Sequence, residues 1–397
     1  MNSINLVAFE EQEVHGEPTN SKLPVLHLSA LHGGHDTRVV YREGFSLAKR
    51  YRLTMLLTRT DPTVHAAIQF MAIPHQPRLW KRLCFVHPRL FWRALRVEAR
   101  ILHIHDAELI PIGLLLRLLG REVIYDVHEN LHRQLVAKKR NNALLFRAFF
   151  RLFDQLAQRY FHLIFAENSY PADYQNLRKP HAVVLNYPSL PLLDPFRRQS
   201  GQETATGTAP EFFYIGQLSL ARCLDVLIDA LARLKPHYPD FRMHLFGPLG
   251  FDVFEPATLK QLTGYKSVKD NLLFYGATDA RKAFPYAARC VAGLALLRSV
   301  GDFPDSYPTK LFEYMALELP VITSDFPLYR AVVETHACGF CLDPTDADAL
   351  FQTLKFLVEN PATARRMGEN GRKAVEEEYN WDTEEEKLFR FYEQVVG

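Results

Sequence analysis

From Leu23 onward the chain alternates short apolar runs with longer amphipathic stretches. LPVLHLSAL (23–31) is followed by the turn HGGHDTR, the amphipathic stretch VVYREGFSLAKRY and a second apolar run, RLTMLLT (52–58). Apolar runs of this length predict strands and the intervening period predicts a helix, so a βαβ unit opens the fold. RILHIHD (100–106) and EVIYDVHE (122–129) read as further strands around a helix over LIPIGLLLRLLG, and LIFAE (163–167) and VVLNYP (183–188) close the first half. Between Pro188 and Pro210 the composition shifts to Pro, Ser, Gly, Gln and Thr, which predicts an unpacked linker. The alternation then restarts. FFYIG, RMHLFG, NLLFYG, VAGLALL, PVITSD and GFCLD are the predicted strands, with helices over LDVLIDALARL, ARKAFPYAA and DADALFQTLKFLVEN. The fold class is therefore α/β, with two doubly wound domains over residues 1–190 and 191–375 facing one cleft, and an acidic helix over 376–397 packing back on the first domain. In such sheets ligands lie beyond the carboxyl ends of the strands, so polar residues there carry most of the functional information.

Composition narrows the classes. With 397 residues and 48% hydrophobic content there is material for two cores. A formal net charge of +2 excludes a global electrostatic match to nucleic acid. The five cysteines are scattered and mostly set in apolar runs, which fits reduced thiols in a cytoplasmic protein rather than a disulfide framework. Neither a membrane-spanning run nor a signal peptide is expected.

The candidate chemistry concentrates in SYPTKLFEYMALELPVITSD (306–325), where a helix follows a loop carrying Asp302 and Asp305. A helix N-terminus offers free N–H groups and partial positive charge, and so can hold phosphate without a metal. Pro308 is expected in the first turn, Lys310 adds a full charge, and Glu313 one turn inward could accept hydrogen bonds from a diol. Phosphate beside a diol describes a nucleotide. In GQLSLARCLD (216–225), Arg222 stands just before the next helix and could reach the same phosphates.

SYPTKLFEYMALELPVI, VVETHACGF and MGENGRKAVEEEYNW together resemble the donor domain of family-4 retaining glycosyltransferases, and HDTRVVYREGFSLAKRY, HIHDAEL and IYDVHEN resemble that family's acceptor domain. The resemblance implies the GT-B fold, two Rossmann-like domains facing an interdomain cleft. It also implies transfer of a sugar from a nucleotide-sugar substrate to a glycan or lipid-linked acceptor in cell-surface polysaccharide or glycolipid synthesis, with no cofactor and no metal. The family's E-x7-E pattern places Glu313 at the ribose and Asp305, one methylene shorter than Glu, near the donor sugar. Its basic pair at the pyrophosphate falls on Arg222 and Lys310, its glycine loop on Gly216 and Gln217, with Thr309 at the helix start. Its active-site histidine falls on His105. Asp36, Arg38, Asp106, Asp126, His128 and Glu129 end strands or open loops on the first domain and are acceptor-side candidates.

Two further motifs compete. HENLH (128–132) satisfies the zinc-protease pattern H-E-x-x-H, but it follows directly on a strand-like run instead of sitting on a helix. A non-catalytic nucleotide-sugar-binding protein is the other alternative, motivated by Asp305. Residues 75–101 carry seven Lys or Arg against one Glu, interleaved with Trp80, Phe85, Phe91 and Trp92. Arg89, Arg93, Arg96 and Arg100 are expected on one helical face, and Lys138, Lys139 and Arg140 extend the charge. This pattern suits either a solvated helix or a peripheral contact with an anionic membrane at its inner face.

Overall fold

The computed structural model describes residues 22–128, 144–197, 209–250 and 256–397. Glu129 and the rest of HENLH after His128, together with Lys138, Lys139 and Arg140, lie outside the described residues.

Two wholly parallel sheets form the frame. The first comprises β1 (Pro24–Gly33), β2 (Arg52–Thr58), β3 (Ile68–Ile73), β4 (Ile101–Ile104), β5 (Glu122–Val127), β6 (His162–Phe165) and β7 (His181–Val183), in the order β3-β2-β1-β4-β5-β6-β7. The second comprises β8 (Glu211–Ile215), β9 (Arg242–Phe246), β10 (Leu272–Gly276), β11 (Ala292–Ala295), β12 (Val321–Ser324) and β13 (Gly339–Leu342), ordered β10-β9-β8-β11-β12-β13. In each sheet the chain runs outward one way, returns to the centre and runs outward the other way. Neighbouring loops at that reversal diverge and leave a crevice. The crevices open beside β1 and β4 in the first domain and beside β8 and β11 in the second.

Both faces of each sheet are covered, which is why the strands read as continuous apolar runs. The helix α1 (Trp381–Val396), last in the chain, lies on the first sheet. Its Leu388, Phe389, Phe391 and Tyr392 are buried with Val25, Leu53 and Ile101, and Trp381 Nε1 donates to Ser46 Oγ at 2.8 Å.

Local departures from the pattern have identifiable causes. The segment after Pro188 is not unpacked throughout, because Leu190–Leu193 forms a helical turn and Leu193 joins the second core. The basic helix covers His87–Arg96 and ends there, so Arg100 leaves the expected face and donates instead to the Val396 carbonyl at 3.0 Å. The helix α2 (Thr309–Ala316) starts one residue later than expected, with Pro308 just outside the first turn at ψ 120°.

Candidate active site

On the second domain β8 ends at Ile215, and Gly216 follows with φ +135°, a region that favours glycine. A Cβ built on Gly216 would lie 2.8 Å from Lys310 Nζ and 3.3 Å from Arg222 Nη1, so two cations converge on the space above this backbone. Lys310 is buried, its ammonium has no hydrogen-bond partner among the described residues, and it rests 4.0 Å from the centre of the Tyr214 ring. Burial pulls its pKa well below the usual lysine range, and the neighbouring Arg222 pulls the same way. Holding an unpaired ion in such a place costs on the order of several kcal/mol.

Tyr314 sets this geometry. Its hydroxyl accepts from Ile215 N and donates to the Leu294 carbonyl, both at 3.1 Å, bridging β8 and β11 beyond their last paired residues, Phe213 and Gly293. Gly293 makes room, since a Cβ there would meet the Tyr314 ring at 2.5 Å. The helix carrying Lys310 and Glu313 is thereby pinned over the crevice. Its N-terminus is capped by no side chain.

Glu313 is buried and reaches across the cleft, 3.4 Å from Arg42 Nη2 of the first domain. Burial raises its pKa, opposed by Arg42 and Lys310. Thr309 lines a narrow gap with Glu167 and Tyr307. Gln217 is exposed, and its main-chain carbonyl accepts from the Tyr214 hydroxyl at 2.6 Å. Asp305 is exposed at the end of the 3₁₀ turn Phe303–Asp305, outside the buried cation pocket.

The first domain presents a buried imidazole cluster. His105 Nδ1 lies 3.3 Å from both Asp126 Oδ2 and His128 Nε2, and its Nε2 lies 2.9 Å from His27 Nδ1. Tyr392 Oη of α1 lies 3.2 Å from His27 and 2.8 Å from His103, linking the terminal helix to His105 through His27. Burial lowers the pKa of His27, His103 and His128 well below the usual range, so these rings are neutral.

Arg38 and Asp126 form a two-pronged pair at 3.0 and 2.8 Å, and Arg38 also donates to the Val184 carbonyl and Asn186 Oδ1. Their polar atoms are turned on each other rather than toward the cleft. Asp36 caps a helical turn by accepting from Arg38 N and Val39 N, and Asp106 accepts from Ser29 Oγ and Ala30 N, tying the ends of β1 and β4 together. Of the acceptor-side candidates in the described residues, Asp106, Asp126 and His128 line one cavity beside His105, and His128 is ring-stacked on His105 at 5.3 Å.

His27, Glu43, His103 and His105 each offer a ligand atom within 4.8 Å of the others, a set that could in principle hold a metal. A cation is already there: Arg38 Nε lies 3.0 Å from Glu43 Oε1.

Two cleft residues escaped the motif reading. Glu167, the residue after LIFA, is held beside Tyr307 N, and burial lifts its pKa to about 8. Its place at a strand's carboxyl end was the available signal. Arg42 is buried within a helical turn and reads in the sequence as an exposed charge on an amphipathic helix.

Two crevices, one lined by cations and one by imidazoles, facing each other between parallel-sheet domains define a GT-B protein. Residues 196–374 match the family described as glycosyl transferases group 1. The chain is 27% identical over 174 residues to the phosphatidyl-myo-inositol mannosyltransferase of Mycobacterium leprae, covering 44% of this chain and 43% of that protein. The chain spans about half the length of the curated relatives it matches. Among solved structures, sucrose-phosphate synthase from Thermosynechococcus elongatus superposes with a TM-score of 0.72 at 17% identity, covering 94% of this chain and 99% of that one. Anabaena HepE in complex with UDP and glucose gives 0.69 at 15% identity over the same shares, 94% and 99%. At these identities the superpositions speak for the fold alone.

Proposed function

We propose that the protein is a retaining glycosyltransferase that needs no metal and moves a sugar from a nucleotide-sugar donor to a hydroxyl of a glycan or lipid-linked acceptor, in the synthesis of cell-surface polysaccharide or glycolipid. The observation that carries this reading is the buried, unpartnered ammonium of Lys310 converging with Arg222 above Gly216. A diphosphate is the ligand that relieves both charges.

In this reading Lys310, Arg222 and the N-terminus of α2 bind the diphosphate, with Gly216, Gln217 and Thr309 lining its path and Glu313 accepting from the ribose hydroxyls. Breaking the glycosyl C–O bond sends its electron pair to the β-phosphate oxygen, where the two cations stabilise the growing charge. The acceptor hydroxyl attacks from the same face, and its proton passes to the departing phosphate oxygen. Configuration is thereby retained without a protein nucleophile. His105, oriented by Asp126 and His27, contacts the donor sugar, Asp305 meets it from the loop once the sugar is bound, and His128 faces the acceptor. The UDP bound in the HepE structure supports a nucleoside diphosphate as the leaving group here. Among the described residues no helix is long and apolar enough to cross a membrane, which fits a protein working from the cytoplasmic side.

The test is nucleotide release from a panel of nucleotide sugars, with thermal stabilisation by free nucleoside diphosphates measured in parallel. Release from at least one sugar supports transfer. Stabilisation without release under any acceptor favours the non-catalytic reading, and neither response defeats both.

A further inference from the structure

A cavity of about 520 Å³ lies against the imidazole cluster, and none of Lys310, Arg222 and Glu313 lines it. His105, Asp126 and His128 line its buried part, the Arg82–Glu108 ion pair and the buried Phe150 stand in its wall, and the exposed Leu31, Leu79, Leu83 and Phe149 form its mouth. The exposed part of the lining is thus apolar. A purely saccharide acceptor gains nothing from such a mouth, whereas an amphiphile does. The rim residues Leu79 and Leu83 are close neighbours in the chain of exposed Trp80 (55%) and Phe85 (53%), and Trp92 on the next helix is 61% exposed. Leu90 and Ala94 anchor the helix His87–Arg96 to the sheet, leaving Trp92 outward with Arg89, Arg93 and Arg96. Arg78 is exposed beside them. Among the described residues none of these four arginines has a carboxylate partner, and the only acidic residue of the segment, Glu98, pairs with Arg52. Arg82 does not contribute, because Glu108 binds it at 2.7 Å.

We infer that the acceptor is an amphiphile presented at an anionic bilayer: the ridge around Trp80 and Trp92 sits in the lipid interface, and the acceptor's apolar part enters the cavity past Leu83 and Phe149. Arginines free of carboxylate partners, of which Arg93 also donates to the Ala72 carbonyl, complement lipid phosphates, indole rings settle at the headgroup level, and the near-zero net charge of the whole chain confines the attraction to this face. The inference rests on the glycosyl-transfer reading only for the identity of the cavity's buried part.

The chain provides its own probe. Of its three tryptophans Trp381 is buried, so a change in indole emission on mixing with vesicles reports Trp80 and Trp92. With vesicles of equimolar phosphatidylglycerol and phosphatidylcholine, a blue shift and co-sedimentation are expected, both weakened by high salt and by pure phosphatidylcholine. The pair Trp80→Glu and Trp92→Glu should lower partition by at least about tenfold, and each of Arg89→Gln and Arg96→Gln by about fivefold. Monomeric lysophosphatidylglycerol should raise the melting temperature of the parent protein but not of Leu83→Asp. Stabilisation by uridine diphosphate, measured on every variant, should be unchanged. No vesicle binding, binding indifferent to the tryptophans, or loss of a dimer in place of vesicle binding would overturn the inference while intact diphosphate binding leaves the donor site standing. Loss of diphosphate binding in the parent protein would instead strike the transfer reading.

Discussion

A buried ammonium without an acceptor weakens the unliganded fold, and Lys310 sits in that position because the fold places it above Gly216, where an incoming anion would reach it. Lys310→Met keeps the length of the side chain and removes the charge. It should therefore stabilise the free protein by roughly 1–3 kcal/mol while abolishing stabilisation by nucleoside diphosphate. Differential scanning fluorimetry with and without uridine diphosphate checks both halves, and a variant that melts lower yet still responds to nucleotide would assign Lys310 to packing alone. Glu167 offers a test by pH. Burial lifts its pKa to about 8, above the ordinary carboxyl value that the unfolded chain retains. At low pH the group is neutral in both states and contributes no penalty. As pH rises only the unfolded chain ionises, so stability drains away until the folded carboxyl also ionises near the upper value. Glu167→Gln removes that drain, and its melting temperature relative to the parent should climb between about pH 5 and about pH 9. A difference independent of pH would place the carboxyl in ordinary solvent.

At the scale of elements, what holds the crevice of the second domain open is a single aromatic side chain spanning two strands. Tyr314→Phe keeps the ring against Gly293 but deprives Ile215 N and the Leu294 carbonyl of their partner. The expected loss is about 1–3 kcal/mol, measured by urea denaturation, with a matching rise in donor KM as α2 loses its anchor. Unchanged donor KM alongside lost stability would separate the bridge from the site. Tyr314 also illustrates what the chain discloses of itself. The parallel strands and the βαβ grammar are legible because both sheet faces are buried and every central strand is apolar throughout. β3 passes unnoticed since it lies at the sheet edge and IQFMAI is only partly buried, which blurs its pattern. The helix Pro361–Glu377 hides behind Gly368 and Gly371, which read as breakers. Gly368 in fact allows close packing, since a Cβ there would lie 2.1 Å from the Glu318 carbonyl oxygen. Of the cation pocket above Gly216, Arg222 and Lys310, with Glu313 behind them, were singled out by residue type and position at strand-to-helix junctions, and the structure brings them together. The Tyr314 bridge, the His27–Tyr392 link and the Arg42 contact were not, because each joins residues that are distant in the chain and that local spacing cannot pair.

At the scale of the whole molecule, the two crevices work together only if the domains close; Leu185 and Tyr187 pack into the second core beside Phe312, while the contacts across the cleft itself are mostly polar. Tyr170 donates to Asp302 Oδ2 at 3.0 Å, Glu167 meets Tyr307 N, and Arg42 approaches Glu313. Polar contacts of this kind exchange readily for water, so the closed arrangement is poised rather than locked. Glu313 is the shared element: in the transfer reading it serves the ribose from the second domain and draws Arg42 from the first. Binding of the nucleotide itself is then a property of the second domain, and closure over it a property of the pair. Arg42→Ala should therefore leave the dissociation constant for uridine diphosphate within about threefold while lowering kcat by tenfold or more, as expected where closure completes the catalytic constellation. Calorimetry for binding and steady-state nucleotide release for turnover separate the two, and solution scattering should report a larger radius of gyration for the variant with nucleotide bound than for the parent. Equal losses in binding and turnover would make Arg42 a direct ligand of the nucleotide and remove Glu313 as the link between domains.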